Sequence, residues 1–154
     1  MAYLFLNKDK QLVFGGKDLN TIASKHPDYQ GYVDGGLGYS VTVTDVEFEN
    51  LENGSKKFTN YNSETNVVSY ETVDFSYLSS AALLADKTNM IKKLQEKLDF
   101  SEYVSPLPAN EVQQIQNFKN SLETIDPNSF TYPLTKTIYK ILQENNLYYI
   151  SPLQ

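Results

Sequence analysis

The sequence predicts an α+β fold, in which a small, mostly antiparallel sheet in the N-terminal half is followed by a three-helix C-terminal half. Residues 1–78 contain short stretches where apolar and polar side chains alternate with a period of two, separated by turn residues. Residues 79–154 instead place apolar side chains three and four positions apart, as on one face of a helix. Since 154 residues is a usual length for one domain, we expect residues 1–154 to form a single domain.

The first elements are predicted to be a β-hairpin and a short helix. Residues 2–6 are an apolar strand, residues 7–10 a polar turn, and residues 11–14 a second strand that ends at Gly15 and Gly16. Asp18 is placed to cap a helix over residues 19–25, which the His26-Pro27 dipeptide ends. We expect residues 30–38 to form a loop.

A third strand is predicted from Tyr39, where apolar side chains alternate with serine and threonine. The apolar register then shifts to Val46 and Phe48, which we interpret as a bulge near Asp45 in a continuing strand. Asn53-Gly54 predicts a turn. Strands over residues 57–61 and 67–75, joined by a turn at residues 62–66, complete the predicted sheet.

Three helices are predicted in the second half. Ser79 or Ser80 can cap the first, which should run to about Leu98. The second starts near Pro108, because proline is favoured in a first helical turn, and ends at residues 126–128. The third covers residues 134–144, and residues 147–150 resemble a strand. The predicted buried stripes are Leu84, Ile91, Leu94 and Leu98; Val112, Ile115, Phe118 and Leu122; and Leu134, Ile138, Ile141 and Leu142.

Composition and charge exclude several classes of function. The net charge of -6 opposes binding to nucleic acid or to an anionic membrane, and every basic residue other than the single histidine is lysine. The chain therefore lacks the guanidinium groups that bind guanine edges and phosphates bidentately. The absence of cysteine excludes disulfides and thiolate chemistry. No apolar run approaches the roughly 20 residues that span a bilayer, so we expect a soluble protein without nucleic-acid or membrane partners.

Residues that could support catalysis or metal binding are few. His26 is the only histidine, and we interpret it as a helix-terminal or loop residue, because a catalytic histidine needs partners that the sequence does not indicate. Asp45, Glu47 and Glu49 would project from one strand face and are interpreted as a solvated surface. Gly35-Gly36-Leu37-Gly38 precedes a strand and is interpreted as a turn, not a phosphate cradle. We predict no catalytic residue, metal or cofactor.

The tyrosines are the other conspicuous set. They fall largely on predicted strands and loops, where exposed tyrosines would suit recognition of another protein, although most aromatic residues in a sheet belong to its core. Both interpretations are open for this set: Tyr29, Tyr32, Tyr39, Tyr61, Tyr70 and Tyr77.

The order of features in the helical half points to a known family. Residues 93–134 are KLQEKLDFSEYVSPLPANEVQQIQNFKNSLETIDPNSFTYPL. This stretch resembles the tail assembly chaperone family of tailed bacteriophages, which includes the tail-fibre assembly proteins. In that family a helix ends in a Leu-Leu-x-x-x-Asp-Trp type sequence, a linker ends near a proline, a second helix bears Tyr-Arg and Leu-Arg, and a Trp-Pro dipeptide follows.

The resemblance assigns positions in this chain as candidate motif and partner-binding residues. Asp99 and Phe100 stand for Asp-Trp, and Leu107, Pro108 and Glu111 open the second helix. The remaining counterparts are Phe118 and Lys119 for Tyr-Arg, Leu122 for the next leucine, and Tyr132 and Pro133 for Trp-Pro. The diagnostic arginine and tryptophan positions hold other residues, and lysine does not reproduce bidentate bonding by arginine. The third predicted helix, after Pro133, is not part of the motif.

The resemblance implies a non-enzymatic phage protein that assists assembly of a tail or tail fibre by binding another phage protein in the host cytoplasm. It would shield an aggregation-prone surface of that partner. We expect Phe100, Phe118, Leu122 and Tyr132 to pack together where the linker crosses the helices. Two alternatives stay open: a structural subunit retained in the virion tail, such as a baseplate or fibre-adaptor component, and a small hydrolase. Homo-oligomerisation is also left open.

Overall fold

The structure is a computed structural model that describes residues 1–153. It shows an α+β protein, as the sequence predicts. Two antiparallel sheets lie in the N-terminal half, and the long helices follow. The chain divides into two compact units. Unit 1 contains Met1–Val73 and the residues from Ser151 onward, and unit 2 contains Asp74–Ile150. The boundary is close to the predicted transition at residue 78, and the single-domain organisation stays a prediction.

The first sheet of unit 1 has three strands in the order β2-β1-β3. They are β1 (Ala2–Asn7), β2 (Leu12–Gly16) and β3 (Gly38–Val43), and β1 pairs antiparallel with both neighbours. A Cβ on Gly38 would lie 1.9 Å from the Leu6 carbonyl oxygen, so the close approach of β3 to β1 requires glycine there. The predicted hairpin and third strand are confirmed.

Two short helices connect β2 to β3. Helix α1 (Leu19–Lys25) matches the prediction, and the Asp18 carboxylate accepts from the Thr21 N–H at 2.8 Å. Helix α2 (Tyr29–Val33) lies where a loop was expected. Tyr29 and Tyr32, one turn apart, both pack edge-on against Phe5, and this contact explains why the segment is helical.

The largest correction concerns residues 45–52, which form helix α3 (Asp45–Glu52) and not a continuing strand. The Thr44 hydroxyl accepts from the Glu47 N–H, and the Glu47 carboxylate accepts from the Thr44 N–H at 2.8 Å, which is a complete capping box. Asp45 and Glu47 lie in the first turn, where the helix dipole favours negative charge. The shift of the apolar positions to Val46 and Phe48 is therefore the start of a helical pattern. The predicted bulge near Asp45 is wrong.

A two-stranded sheet completes unit 1. Strands β4 (Lys56–Asn62) and β5 (Val67–Thr72) pair antiparallel, with a bulge between Phe58 and Asn60. The Asn53-Gly54 turn is confirmed, with Gly54 at φ +74°, but it joins α3 to β4 and not two strands. Asn62 forms the second predicted turn by accepting from the N–H groups of residues 64 and 65.

Unit 2 is built on a helical hairpin. Helices α4 (Ser80–Tyr103) and α5 (Ala109–Glu123) are followed by a 3-10 turn at Pro127–Ser129 and by α6 (Ile138–Glu144). Ser79 caps α4 as predicted. The Lys87 ammonium donates to the Ile125 carbonyl at 2.8 Å, just after the end of α5. The buried core of unit 2 is Tyr77, Leu83, Leu94, Ile115, Phe118, Leu122, Ile125, Leu134, Ile138, Ile141 and Leu142.

Several details of unit 2 differ from the prediction, and three of them concern its core and its C-terminal segment. Leu83 is fully buried and Leu84 is half exposed, so the stripe on α4 begins one residue earlier. Leu134 is buried but precedes α6, because its backbone N–H and C=O are both bonded to Tyr77 and Thr137 caps the helix. Residues 147–150 form no strand in the described chain. The backbone N–H of Leu147 instead donates to the Leu142 carbonyl at the end of α6.

The six singled-out tyrosines are core residues or half-buried residues. Tyr61 and Tyr77 are buried and the other four are half-buried, so this set does not form an exposed patch. Tyr77 donates from its hydroxyl to the Asp86 carboxylate, and burial together with this bond raises the pKa of Tyr77. Across residues 1–153, no helix has the length and apolar character needed to cross a membrane.

The capping box gives the first prediction. Thr44→Ala removes the side-chain acceptor at the start of α3 and should lower the free energy of unfolding by about 1 kcal/mol. Thr44→Ser keeps the hydroxyl and should restore most of that loss. Urea unfolding followed by circular dichroism measures both variants. Equal stability of the alanine and serine variants would contradict the capping role.

Tyr70 gives a second prediction. Its hydroxyl is buried and has no hydrogen-bond partner among residues 1–153. Burial, with a smaller contribution from the Glu47 charge, raises the pKa of Tyr70 from 10.0 to about 12. Because the phenolate forms more readily in the unfolded chain, the stability contributed by Tyr70 is fully present below pH 10 and is lost as pH rises through 12.

Tyr70→Phe removes both the unpartnered hydroxyl and its titration. We expect this variant to be at least as stable as the wild type at pH 8 and to lose less stability between pH 10 and pH 12. Urea unfolding at pH 8 and pH 11 gives the comparison. The same loss of stability in both proteins would show that Tyr70 titrates normally in the folded state.

Candidate functional site

The candidate residues from the sequence lie mostly on the α4–α5 hairpin. Asp99 and Phe100 are in the last turns of α4, and Leu107 is in the linker. Pro108 is the N-cap of α5, so it precedes the first helical turn and does not lie within it. The others are Phe118, Lys119 and Leu122 on α5, and Tyr132 and Pro133 between the 3-10 turn and α6.

One group of these residues is structural. Phe118 and Leu122 are buried in the core of unit 2, and Leu107 and Tyr132 are half-buried against it. The Tyr132 hydroxyl donates to the Pro127 carbonyl oxygen. Replacement of these side chains would disturb packing before it disturbed any surface.

A hydrogen-bond relay connects the two helices at Lys119, the residue that the sequence resemblance pairs with an arginine. The Lys119 ammonium on α5 donates to the Gln95 side-chain carbonyl on α4 at 2.8 Å. The amide group of Gln95 then donates to the Asp99 carboxylate at 2.9 Å. Lys119 also lies 3.9 Å from the Glu123 carboxylate. The relay fixes the register of α5 on α4 and occupies polar groups of Lys119, Gln95 and Asp99 within the hairpin.

The linker between α4 and α5 is also held in place by hydrogen bonds to the end of α4. The N–H groups of Val104 and Ser105 both donate to the Phe100 carbonyl, which ends α4. The Leu107 N–H donates to the Ser101 hydroxyl at 3.0 Å. These bonds hold the chain against the end of α4 before α5 begins, so the side chains of the last turn of α4 have a fixed position.

Phe100 is not where we expected it. The predicted packing of Phe100 with Phe118, Leu122 and Tyr132 is wrong, because Phe100 is 51% exposed and lies outside the core. Tyr103 and Val104, at helical spacing from Phe100, are 78% and 70% exposed. We call these three residues the α4 tip. Repulsion by the Glu102 charge, and the hydrogen bond that the Tyr103 hydroxyl donates to the Glu102 carboxylate, raise the pKa of the exposed Tyr103.

A groove lies beside the α4 tip and connects it to the linker. Its volume is about 580 Å³, and Phe100, Leu107 and Ile115 form its apolar lining. Lys93, Lys97, Glu96 and Glu111 also line the groove and bring both signs of charge to it. Aromatic and apolar side chains with charged groups beside them are typical of protein-binding surfaces.

A second groove of about 510 Å³ lies on the α4–α5 hairpin. It is lined by Leu98 and Val112, and by polar residues that include Lys119 and Gln95 of the relay. The relay residues among them are already bonded to each other. Two apolar residues line this groove, against three in the groove next to Phe100. The groove next to Phe100 is therefore the better candidate for binding a partner.

The residues considered for catalysis have structural roles in unit 1. His26 is the C-cap of α1, with its ring stacked on Phe14 at 3.9 Å between centroids. Glu47 belongs to the capping box, and Glu49 pairs with Lys17 at 2.6 Å. Asp45 lies 2.9 Å from the N-terminal ammonium, which lowers its pKa. Within the described part of the chain, no group of three or more potential ligands could hold a metal ion.

The sequence interpretation missed Tyr103 and Val104 because residues 99–107 were expected to be loop. The helix continues to Tyr103, because no proline or glycine lies between Ser80 and Pro106 to end it earlier. The spacing of Phe100, Tyr103 and Val104 was the available signal, since residues three and four apart share a helical face.

The contrast between Phe100 and Phe118 gives a third prediction. Phe118→Ala should lower the free energy of unfolding by roughly 3–5 kcal/mol, because it leaves a cavity in the core. Phe100→Ala should change the free energy of unfolding by no more than about 1 kcal/mol, since the side chain is half exposed. Chemical unfolding of the two variants tests this, and similar losses in both would place Phe100 in the core.

Comparison of the chain with protein-family models, with curated proteins and with solved structures gave no match. The resemblance of residues 93–134 to the phage tail assembly chaperones therefore stays a prediction.

Proposed function

We propose that the chain is a non-enzymatic assembly chaperone for a phage tail or tail-fibre protein, and that it binds this partner through the α4 tip and the adjacent groove. The exposed apolar cluster of Phe100, Tyr103 and Val104 is the observation on which the proposal rests. The order of motif-like residues from Asp99 to Pro133 supports the choice of partner class.

The chemistry of the α4 tip suits temporary protection of another protein. Each square ångström of apolar surface removed from water contributes about 25 cal/mol, so three large apolar side chains can supply useful affinity. Aromatic residues are enriched at the energetic centre of protein interfaces, and Phe100 and Tyr103 provide two. Permanent subunit interfaces are usually large, so a contact centred on three side chains suits release when the partner assembles.

The rest of the hairpin supports a fixed binding surface. The relay through Lys119, Gln95 and Asp99 and the bond between Leu107 and Ser101 hold α4, the linker and α5 in register. A surface that is already ordered loses less conformational entropy on binding. In this proposal the chain acts in the host cytoplasm and leaves before the virion is complete.

The proposal predicts how the chain behaves during infection by the phage that encodes it. Quantitative mass spectrometry should detect the chain in infected cells and find it depleted from purified virions. A fixed copy number per particle would contradict the chaperone proposal and favour a structural subunit of the tail, such as a baseplate or fibre-adaptor component.

Coexpression provides the variant test. The fibre or tail protein of the same phage should be more soluble and better assembled with the chain than without it. Phe100→Asp and Tyr103→Asp should each lower the yield of assembled partner several-fold, because each places a carboxylate in an apolar contact. Leu84→Asp is the matched control, since Leu84 is also half exposed on α4 but lies near its other end.

The variants must fold for this comparison to hold, and circular dichroism verifies that they do. Equal yields with Phe100→Asp, Leu84→Asp and the wild type would remove the α4 tip from the interaction. A partner that is soluble and assembled without the chain would contradict the chaperone role itself.

A further inference from the structure

Unit 1 contains a groove that the proposed chaperone function does not use. It has a volume of about 650 Å³. One wall is residues 9–12, from the β1–β2 turn and the start of β2, and another is residues 56–60 of β4. Leu12, Phe58 and Leu153 contribute apolar surface to the groove.

The wall formed by β4 has the properties of an open strand edge. Five consecutive residues of this strand line the groove, so the groove follows the strand direction. Among residues 1–153, strand β4 pairs only with β5, in a sheet of two strands. Backbone N–H and C=O groups on the other side of β4 are therefore open to pairing with an added strand.

The charge of the groove is opposite to that of its surroundings. Lys10, Lys56 and Lys57 are three of the six lysines in residues 1–73, whereas Asp9 is the only one of the ten carboxylates in that stretch to line the groove. Within residues 1–153, none of these three ammonium groups forms a salt bridge. Lys56 lies 5.9 Å from the centroid of the Tyr70 ring, which leaves its hydrogen-bond donors available.

We propose that this groove binds an extended, acidic segment of a partner protein, which adds as a strand to the free edge of β4. The backbone of the segment pairs with β4, its carboxylates meet Lys10, Lys56 and Lys57, and its alternate apolar side chains contact Leu12 and Phe58. Strand addition combines backbone hydrogen bonds, which supply affinity, with side-chain contacts, which supply selectivity. The groove lies in unit 1, so this binding goes beyond the proposed function and its test does not depend on the α4 tip.

A synthetic peptide tests the proposal on the full chain. The probe is a fluorescein-labelled peptide of alternating glutamate and valine, seven residues long, compared with the same peptide containing lysine in place of glutamate. Fluorescence anisotropy at low salt should show binding of the acidic peptide only. Affinity should fall severalfold between 50 and 500 mM NaCl, because salt screens exposed charges. Absence of binding at millimolar protein, or equal binding of both peptides, would overturn the proposal.

Charge variants locate the binding. Lys56→Gln combined with Lys57→Gln should weaken binding roughly tenfold, as expected for the loss of two exposed charge contacts. Glutamine is used and not glutamate, because Lys57 lies opposite Glu71 on the neighbouring strand. A glutamate at residue 57 would place two carboxylates next to each other and destabilise the sheet. Lys8→Gln is the control, since Lys8 is an exposed lysine of the same unit that does not line the groove. Equal affinity for the double variant and the control would exclude this groove.

The strand-addition geometry has its own test, which needs no variant of the protein. A peptide that is N-methylated at alternate residues lacks the backbone N–H donors along one of its two edges when it is extended. One of the two methylated series should bind at least tenfold more weakly than the parent peptide, and the parent should slow amide exchange at residues 56–60. Parent-like affinity of both series, with unchanged exchange at β4, would overturn pairing to this edge.

Discussion

Packing of α5 on α4 is the contact on which unit 2 depends. Leu94 of α4 and Ile115, Phe118 and Leu122 of α5 share one core with the buried residues of the C-terminal segment. The hydrogen bonds from Lys119 to Gln95 and from Gln95 to Asp99 fix the register of the two helices across this apolar contact. Phe118 and Leu122 of α5 belong to this core, whereas Phe100, Tyr103 and Val104 at the end of α4 lie outside it. The packing that stabilises the hairpin thus leaves the α4 tip exposed.

The two units present surfaces of different chemistry. The α4 tip is apolar and aromatic, whereas the groove of unit 1 combines an open strand edge with three lysines. Each surface is placed by the core of its own unit, since helix packing fixes the former and the pairing of β4 with β5 fixes the latter. A change to one surface should consequently leave the other intact, and the two proposed interactions can be examined separately.

The sequence was most informative where one periodicity dominated. The stripes of α5 and most of α4, and the alternation in β3, gave correct elements because few other arrangements bury those side chains. Residues 45–52 were misassigned because Val46 and Phe48 also fit a strand, although Thr44 and Glu47 form a capping-box pattern that identifies the helix. The exposure of Phe100 could not be predicted, since an apolar side chain at a helix end faces core or solvent according to tertiary packing alone.

The decisive measurement is hydrogen–deuterium exchange on the chain, free and bound to the phage fibre or tail protein that we propose as its partner. We expect slower exchange on binding in residues 97–107, which include the end of α4 and the linker, with little change in α6. Unchanged exchange in residues 97–107, with protection confined to other parts of unit 2, would contradict it.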